Sequence, residues 1–127
     1  MDLTGEFWRM SGPFYQRNAA NPTEQAFLAG SRYCNARGFV HGGMLSAFLD
    51  RLFSHAVAAA TDRANTVTVH LSVDFLAAAK IDQWVVGESQ VTRATRDVVF
   101  VEGRIHSGGR DVVRGSGVFK ITRTPSS

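Results

Sequence analysis

Cysteine, long apolar runs and clusters of basic residues are scarce in this chain, and each shortage excludes a class of protein. The 127 residues include one cysteine, Cys34, so an internal disulfide is impossible and a reducing compartment is expected. No apolar run approaches the roughly 18 residues that span a bilayer, and no basic segment followed by an apolar one opens the sequence. We therefore expect a cytoplasmic protein without a membrane partner.

Basic residues are dispersed, although the chain carries a net charge of +3. Residues 1–79 hold six basic and six acidic side chains, whereas residues 80–127 hold eight and five, so the excess lies in the later part. No helix-turn-helix or RNA-binding signature accompanies it, which argues against a nucleic-acid partner. The excess suits either a small phosphorylated ligand or a solvated strand surface.

The length and composition indicate one globular domain spanning residues 1–127. Hydrophobic residues make up 44% of the chain and charged residues 20%, which is ordinary for a soluble protein. A chain of this length builds a single core.

One helix is strongly indicated, from Met44 to about Thr61. The segment is rich in Leu, Phe and Ala, has no internal Gly or Pro, and follows a glycine pair. Its apolar positions cover about half of the helix circumference, which is typical of a buried helix. They are Leu45, Phe48, Leu49, Leu52, Phe53, Ala56, Val57, Ala59 and Ala60.

The rest of the chain is predicted to be mainly strand. Residues 66–76 alternate, with Val67, Val69, Leu71, Val73 and Phe75 on one face and Thr68, His70, Ser72 and Asp74 on the other. The other predicted strands are Glu24–Cys34, after a short helical turn and loops, then Trp84–Thr92, Val98–His106 and Val112–Ile121. One long helix and a run of antiparallel strands predict an α+β fold, in which a sheet of five to six strands wraps around the helix.

The residues best suited to chemistry lie between Asn35 and Asp50. A polar loop leads through His41, Gly42 and Gly43 into the helix, and the first N–H groups of a helix lack partners and lie at its positive end. Gly42 and Gly43 could therefore face a developing oxyanion, with Asn35 as an orienting group. His41 either donates to a ligand or holds the loop, and we favour the loop. Asp50 is a candidate base or nucleophile, the alternative being a structural pair with an arginine such as Arg51 or Arg63.

Gly42 and Asp50 are too far apart to act on one carbonyl within a single chain. Eight helical residues rise about 12 Å. A shared carbonyl would need Asp50 from a second copy, across a two-fold axis that brings antiparallel helices together.

Other reactive side chains are weaker candidates. Cys34 permits a thiol nucleophile, but a lone cysteine at a strand end is more often a small buried apolar residue. His55, His70 and His106 lack the spacing of zinc ligands, so no metal is expected.

The spacing of Asn35, Gly38, the His41-Gly42-Gly43 triplet and Asp50 resembles that of hotdog-fold acyl-CoA thioesterases of the phenylacetate-pathway (PaaI-like) type. The likeness extends from about Gly12 to Ile121. It implies a hotdog fold and hydrolysis of an acyl-CoA to a free acid and coenzyme A. No metal or redox cofactor is implied, since coenzyme A enters as part of the substrate. The resemblance also implies a homodimer, usually paired into a homotetramer.

Position by position, the resemblance implies that the Gly42 N–H polarises the thioester carbonyl and that Asn35 orients it. Asp50 of the partner subunit would act as base or nucleophile, and Thr68 would position the attacking water. His41 and Gly43 would border the substrate. Candidates for contacting coenzyme A are Arg93, Arg96 and Arg114.

Two other functions stay open: a non-catalytic acyl-CoA-binding or sensing protein, and a dehydratase or hydratase acting on acyl thioesters. Asp50 and Thr68 favour hydrolysis, because binding alone requires neither. A dehydratase needs an acid/base pair at the acyl chain, and the sequence offers no Asp–His pair at suitable spacing. The acyl group is not specified, and Phe39, Phe48 and Phe53 fit either a substrate pocket or the core.

Overall fold

In the residues that the structure describes, one long helix packs against one face of a six-stranded antiparallel sheet. The computed structural model describes residues 12–16, 23–62 and 64–122. Helix α1 spans Gly42–Ala60. The strands are β1 (Tyr15–Gln16), β2 (Glu24–Leu28), β3 (Thr66–Phe75), β4 (Trp84–Ala94), β5 (Val98–Ser107) and β6 (Arg110–Ile121). Their order in the sheet is β1-β2-β4-β5-β6-β3, so β3 lies at an edge. The predicted α+β architecture is confirmed.

The observed elements differ from the prediction in several places. The helix begins at Gly42 rather than Met44, so both glycines lie in its first turn. The strand predicted over Glu24–Cys34 ends at Leu28, because Tyr33 donates its N–H to the Gly30 carbonyl at 3.1 Å and the chain turns into a short 3-10 helix, Ser31–Tyr33. The short β1 lies where loops were expected, and the helical turn predicted near the start falls mostly outside the described residues.

The core lies between α1 and the sheet. The buried helix residues are Leu45, Phe48, Leu49, Leu52, Phe53, Ala56 and Val57, whereas Ala59 and Ala60 in the last turn are exposed. Phe48 and Phe53 are fully buried, so they belong to the core rather than to an open pocket. Each such aromatic side chain contributes about 1.5–3 kcal/mol on burial. These contacts fix the helix firmly on the sheet.

Glycines in the sheet let the helix approach closely. A Cβ at Gly87 would lie 2.2 Å from a methyl carbon of Leu52, and one at Gly115 would lie 2.5 Å from a methyl carbon of Leu49. Both distances are far below van der Waals contact, so side chains at these positions would push the helix away.

Strand β3 contains a β-bulge. Thr68 pairs with Phe119, whereas His70 pairs with the adjacent residue, Val118, so Val69 is an extra residue with no partner in β6. An extra residue changes which face the following side chains occupy. Phe119 is buried beneath the helix, which places Thr68 on the helix side of the sheet.

The bulge overturns the strict alternation predicted for residues 66–76. Leu71 and Val73 pack against the core below the helix, and Phe75 pairs with the buried Val113. Thr68 therefore shares a face with Phe75 instead of lying opposite it. No helix in the described part of the chain is long and apolar enough to cross a membrane.

Candidate active site

The N-terminus of α1 presents two unpartnered N–H groups. Within the described ranges, nothing accepts a hydrogen bond from the backbone N–H of Gly42 or Gly43, and both residues are exposed. The His41 side chain does not cap the helix. These N–H groups lie at the positive end of the helix dipole, where an oxyanion would be stabilised.

The backbone conformation does not require glycine at position 42 or at position 43. Neither residue has a positive φ. A Cβ at Gly43 would meet nothing within 4 Å, and a Cβ at Gly42 would lie 3.3 Å from two ring carbons of Phe75. The two glycines thus leave the approach to their N–H groups open.

Asn35 organises the loop that leads to this helix start. Its Oδ1 accepts hydrogen bonds from the backbone N–H groups of Arg37 at 2.9 Å and Phe39 at 3.1 Å. Gly38, with φ +81°, donates its N–H to the Asn35 carbonyl at 3.0 Å. Such Asx turns are a common way for asparagine to shape a loop. Because two N–H donors face Oδ1, the side-chain NH₂ remains free to donate to a ligand.

The same loop is hydrogen-bonded to its neighbours on both sides. The His41 N–H donates to the Tyr33 carbonyl at 2.9 Å, and the Val40 N–H donates to the Ala79 carbonyl at 2.9 Å. The Ile81 N–H donates to the Gly38 carbonyl at 2.8 Å. The backbone of His41 therefore helps to hold the loop, while its imidazole is exposed beside the helix start.

Asp50 and Thr68, predicted separately from the sequence, are in direct contact. The Thr68 hydroxyl donates to Asp50 Oδ1 at 2.9 Å, from β3 to the middle of α1. Within the described part of the chain, Oδ2 of Asp50 has no donor. The carboxylate is thus held by one oxygen and presents the other.

Pairing of Asp50 with Arg51, the structural alternative, is not observed. Arg51 Nε donates to Gln25 Oε1 at 2.8 Å, and the guanidinium lies over the ring of Phe14 at 4.5 Å. Burial lowers the pKa of Arg51. Arg63, the other candidate partner, lies outside the described residues.

The structure brings Asp50 and Thr68 together but keeps both apart from Gly42. Eight residues of α1 separate Gly42 from Asp50, a rise of about 12 Å. Phe75 accompanies Gly42 at the helix start, and the alternating pattern of β3 gave no signal that its ring would be exposed there. Gly42 and Asp50 therefore lie at different points along α1, and each is close to a residue of β3.

Comparison with known proteins assigns the family. The model of the thioesterase superfamily matches residues 37–114, which run from the loop before α1 into β6. A Pseudomonas aeruginosa protein, named for an inferred esterase activity, is 33% identical over 112 residues, or 87% of this chain and 84% of that protein. The chain belongs to the thioesterase superfamily.

Solved structures agree with this assignment at the level of the fold. A hypothetical thioesterase of Streptococcus pneumoniae, solved with coenzyme A, has a TM-score of 0.78 and 16% identity, over 95% of this chain and 98% of its own. The phenylacetic acid degradation protein PaaI of Thermus thermophilus, solved as an asparagine-to-aspartate variant, has a TM-score of 0.81 and 19% identity, over 92% and 99%. The hotdog fold and the PaaI-like resemblance are confirmed.

The arginines suggested for coenzyme A lie away from the helix start in this thioesterase-superfamily chain. Arg114 pairs with Asp111 at 3.1 Å on the sheet face opposite the helix. Hydrogen bonds from Arg104 and Arg114 lower the pKa of Asp111. Arg93 and Arg96 lie near the β4–β5 turn, at the end of the sheet where α1 finishes.

A hollow in the described part of the chain lies away from the predicted catalytic residues, although Arg114, one of the arginines suggested for coenzyme A, lines it. It measures about 670 Å³ and opens around Glu88, Arg104 and Arg114, and none of the predicted catalytic residues lines it. We give more weight to the edge of β3, because Thr68 of this strand contacts the Asp50 carboxylate and Phe75, at the end of the same strand, lies against Gly42.

Cys34 has the surroundings of a structural residue. Burial and, secondarily, the carboxylate of Asp82 raise the pKa of the Cys34 thiol. Its Sγ lies 3.5 Å from the Gly30 carbonyl as a hydrogen-bond donor. Both features favour the thiol over the reactive thiolate. Among the described residues, no group of three or more His, Cys, Asp or Glu is placed to hold a metal ion.

Proposed function

We propose that this chain hydrolyses acyl-CoA thioesters to a free acid and coenzyme A, in an active site shared between two subunits. The observation that carries the proposal is the contact between Thr68 and Asp50, which leaves one carboxylate oxygen available beside a free sheet edge. Membership of the thioesterase superfamily supports the reaction class. The coenzyme A bound to the Streptococcus pneumoniae structure supports the choice of thiol.

The proposed site has two halves. The Gly42 N–H group and the Asn35 loop of one subunit form the first, and Asp50 with Thr68 of the other subunit forms the second. The thioester carbonyl would accept hydrogen bonds from the Gly42 N–H, with Gly43 and the Asn35 amide as further donors. Those bonds strengthen as negative charge develops on the oxygen in the transition state, so they accelerate the reaction rather than only binding substrate. The exposed imidazole of His41 would border the bound substrate.

Asp50 provides the carboxylate that promotes cleavage of the thioester, by one of two routes. As a base it takes a proton from water, whose oxygen attacks the carbonyl carbon while Thr68 holds the carboxylate. As a nucleophile it forms an anhydride that water then hydrolyses. In both routes the carbon–sulfur bond breaks and coenzyme A leaves as the thiolate.

A second copy would complete the site through β3. Among the described strands, β3 pairs only with β6, so its other edge has no partner strand. Val67 and Val69 of β3 are 47% and 55% accessible. Exposed apolar edges are ready to pair with another chain. Antiparallel pairing of β3 about a two-fold axis would set the helices side by side in opposite directions, with Asp50 of the partner subunit near Gly42. We expect such a homodimer, paired further into a homotetramer.

Hydrolysis is tested by incubating the protein with short, medium and aryl acyl-CoAs and following thiol release. We expect turnover with at least one of them, and loss of that turnover in Asp50→Asn. Tight acyl-CoA binding without thiol release would instead identify a binding or sensing protein.

Sharing of the site is tested by mixing two inactive variants, Asp50→Asn and Gly42→Val. If the two halves of the site come from different chains, random exchange makes half of the dimers mixed, each with one native site of two, so about a quarter of native activity returns. If each chain forms its own site, mixing restores nothing. Each variant exchanged with itself is the control.

A further inference from the structure

Phe75 is an exposed aromatic residue that lies against the start of α1. It is the last residue of β3 and is 55% exposed. Its Cε1 and Cζ atoms are 3.3 Å from the position of a Cβ at Gly42, and Cε2 is 3.9 Å from it. The tip of the ring therefore rests beside the residue whose N–H would hold the thioester carbonyl.

The backbone that carries this ring is fixed on one side. Phe75 pairs with Val113 of β6, and the next residue, Leu76, donates its N–H to the Val112 carbonyl at 2.8 Å. The ring thus has a defined origin but leaves half of its apolar surface uncovered. The exposed part of the ring is therefore available to contact a ligand or another chain.

We propose that Phe75 is a specificity-determining residue, whose ring forms the apolar wall beside Gly42 and restricts the substrate to acyl groups unbranched at the carbon next to the carbonyl. The proposal rests on the proposed function, which places the thioester oxygen at the Gly42 N–H. A carbonyl bound there has its two substituents within one bond of the reacting carbon. The acyl carbon is the substituent that varies between substrates, whereas the sulfur and the two methylene groups of coenzyme A that follow it are the same in all of them. A wall on the acyl side is therefore the one that selects between substrates.

The consequence concerns substituents at that one carbon. A methyl branch there would meet the ring, whereas a branch one carbon further along would pass it. One misplaced methyl group in a tight pocket typically changes discrimination by about 10- to 200-fold. Straight-chain and arylacetyl groups, which have a CH₂ beside the carbonyl, would be accepted.

The test compares kcat/KM for butyryl-CoA, isobutyryl-CoA and isovaleryl-CoA. In Phe75→Ala we expect the isobutyryl to butyryl ratio to rise at least about tenfold, with little change in the isovaleryl to butyryl ratio. Leu76→Ala is the matched control. Leu76 is adjacent to Phe75 and 53% exposed, but the three atoms nearest to a Cβ at Gly42 all belong to Phe75. Phe75→Leu, a smaller change that retains apolar bulk, should give an intermediate ratio and protects the test if the alanine variant folds poorly.

Three results would overturn the proposal. The first is an unchanged isobutyryl to butyryl ratio in Phe75→Ala with normal butyryl turnover, which leaves the proposed hydrolase intact. The second is an equal change in Leu76→Ala. The third is loss of the dimer by light scattering with a parallel fall for all three substrates, which would make Phe75 a subunit contact. Failure of the native protein to release thiol from any acyl-CoA would refute the proposed function and this inference together.

Discussion

The substitution Gly42→Ala tests whether Gly42 serves catalysis through its backbone N–H group or only makes the chain flexible before the helix. The new methyl carbon would lie 3.3 Å from two carbons of the Phe75 ring, slightly closer than ordinary van der Waals contact. The ring is half exposed and can yield by the few tenths of an ångström required. Alanine is favoured over glycine in a helix by up to about 1 kcal/mol, which offsets that strain. We therefore expect the free energy of unfolding to change by less than about 1 kcal/mol.

The effect on turnover should be much larger. A methyl group beside the N–H crowds the bound carbonyl, and loss of one oxyanion donor typically costs about 3 kcal/mol, or roughly a hundredfold in rate. The loss should fall on kcat more than on KM, because the hydrogen bond strengthens as charge develops.

The measurement is kcat and thermal melting on the same preparations of the native protein, Gly42→Ala and Gly43→Ala. Gly43→Ala is the stability control, because its Cβ meets nothing within 4 Å and should only favour the helix. Native turnover in Gly42→Ala would refute the oxyanion role. A melting temperature lowered by much more than about 4 °C would show that the glycine is needed for folding. The double variant Gly42→Ala/Phe75→Ala tells whether the new methyl group crowds the bound carbonyl directly or by displacing the Phe75 ring. Only displacement of the ring predicts that kcat recovers when the ring is removed.

Substitutions at three other positions test the remaining parts of the site. Asp50→Asn should retain the fold by circular dichroism but lose at least about 100-fold in turnover, because an amide is neither base nor nucleophile at neutral pH; native-like turnover would remove Asp50 from the mechanism. Thr68→Ala should lose less, and Thr68→Ser should stay close to native because it keeps the hydroxyl; equal kcat values for both variants would contradict a role for that hydroxyl. Val69→Lys should turn the expected dimer into a monomer of about 14 kDa by light scattering, since two copies would bring like charges together on the free edge; a native dimer would show that β3 is not the interface.

The sequence predicted the parts of the fold that follow from local periodicity. The apolar arc of α1 is wide because the sheet covers most of it, and seven of its nine predicted core residues are buried. Strands β4 to β6 are located to within two residues. Apolar residues alternate along each strand, and turns rich in glycine and polar side chains mark the strand ends. Such patterns are set by neighbours in the chain, so they can be read without knowing the fold.

Features that depend on distant residues could not be predicted in this way. The edge position of β3 follows from pairing with β6, the last strand in sequence. The burial of Phe48 depends on Phe27 and Phe14, whose rings lie 4.9 and 5.8 Å from it by centroid.

The bulge at Val69 reconciles two demands on β3 that a regular strand could not meet together. Core packing needs Leu71 and Val73 on the helix side, and all side chains on one face of a regular strand are separated by even numbers of residues. Thr68 would then face away from the helix, and Asp50 would lose its hydrogen bond. One extra residue shifts the phase, so the hydroxyl and the core side chains share a face. The extra residue interrupts the pairing at one position, and it is tolerated because β3 is an edge strand where bulges are common. We conclude that the contact between Thr68 and Asp50 depends on the irregularity that the alternating sequence concealed.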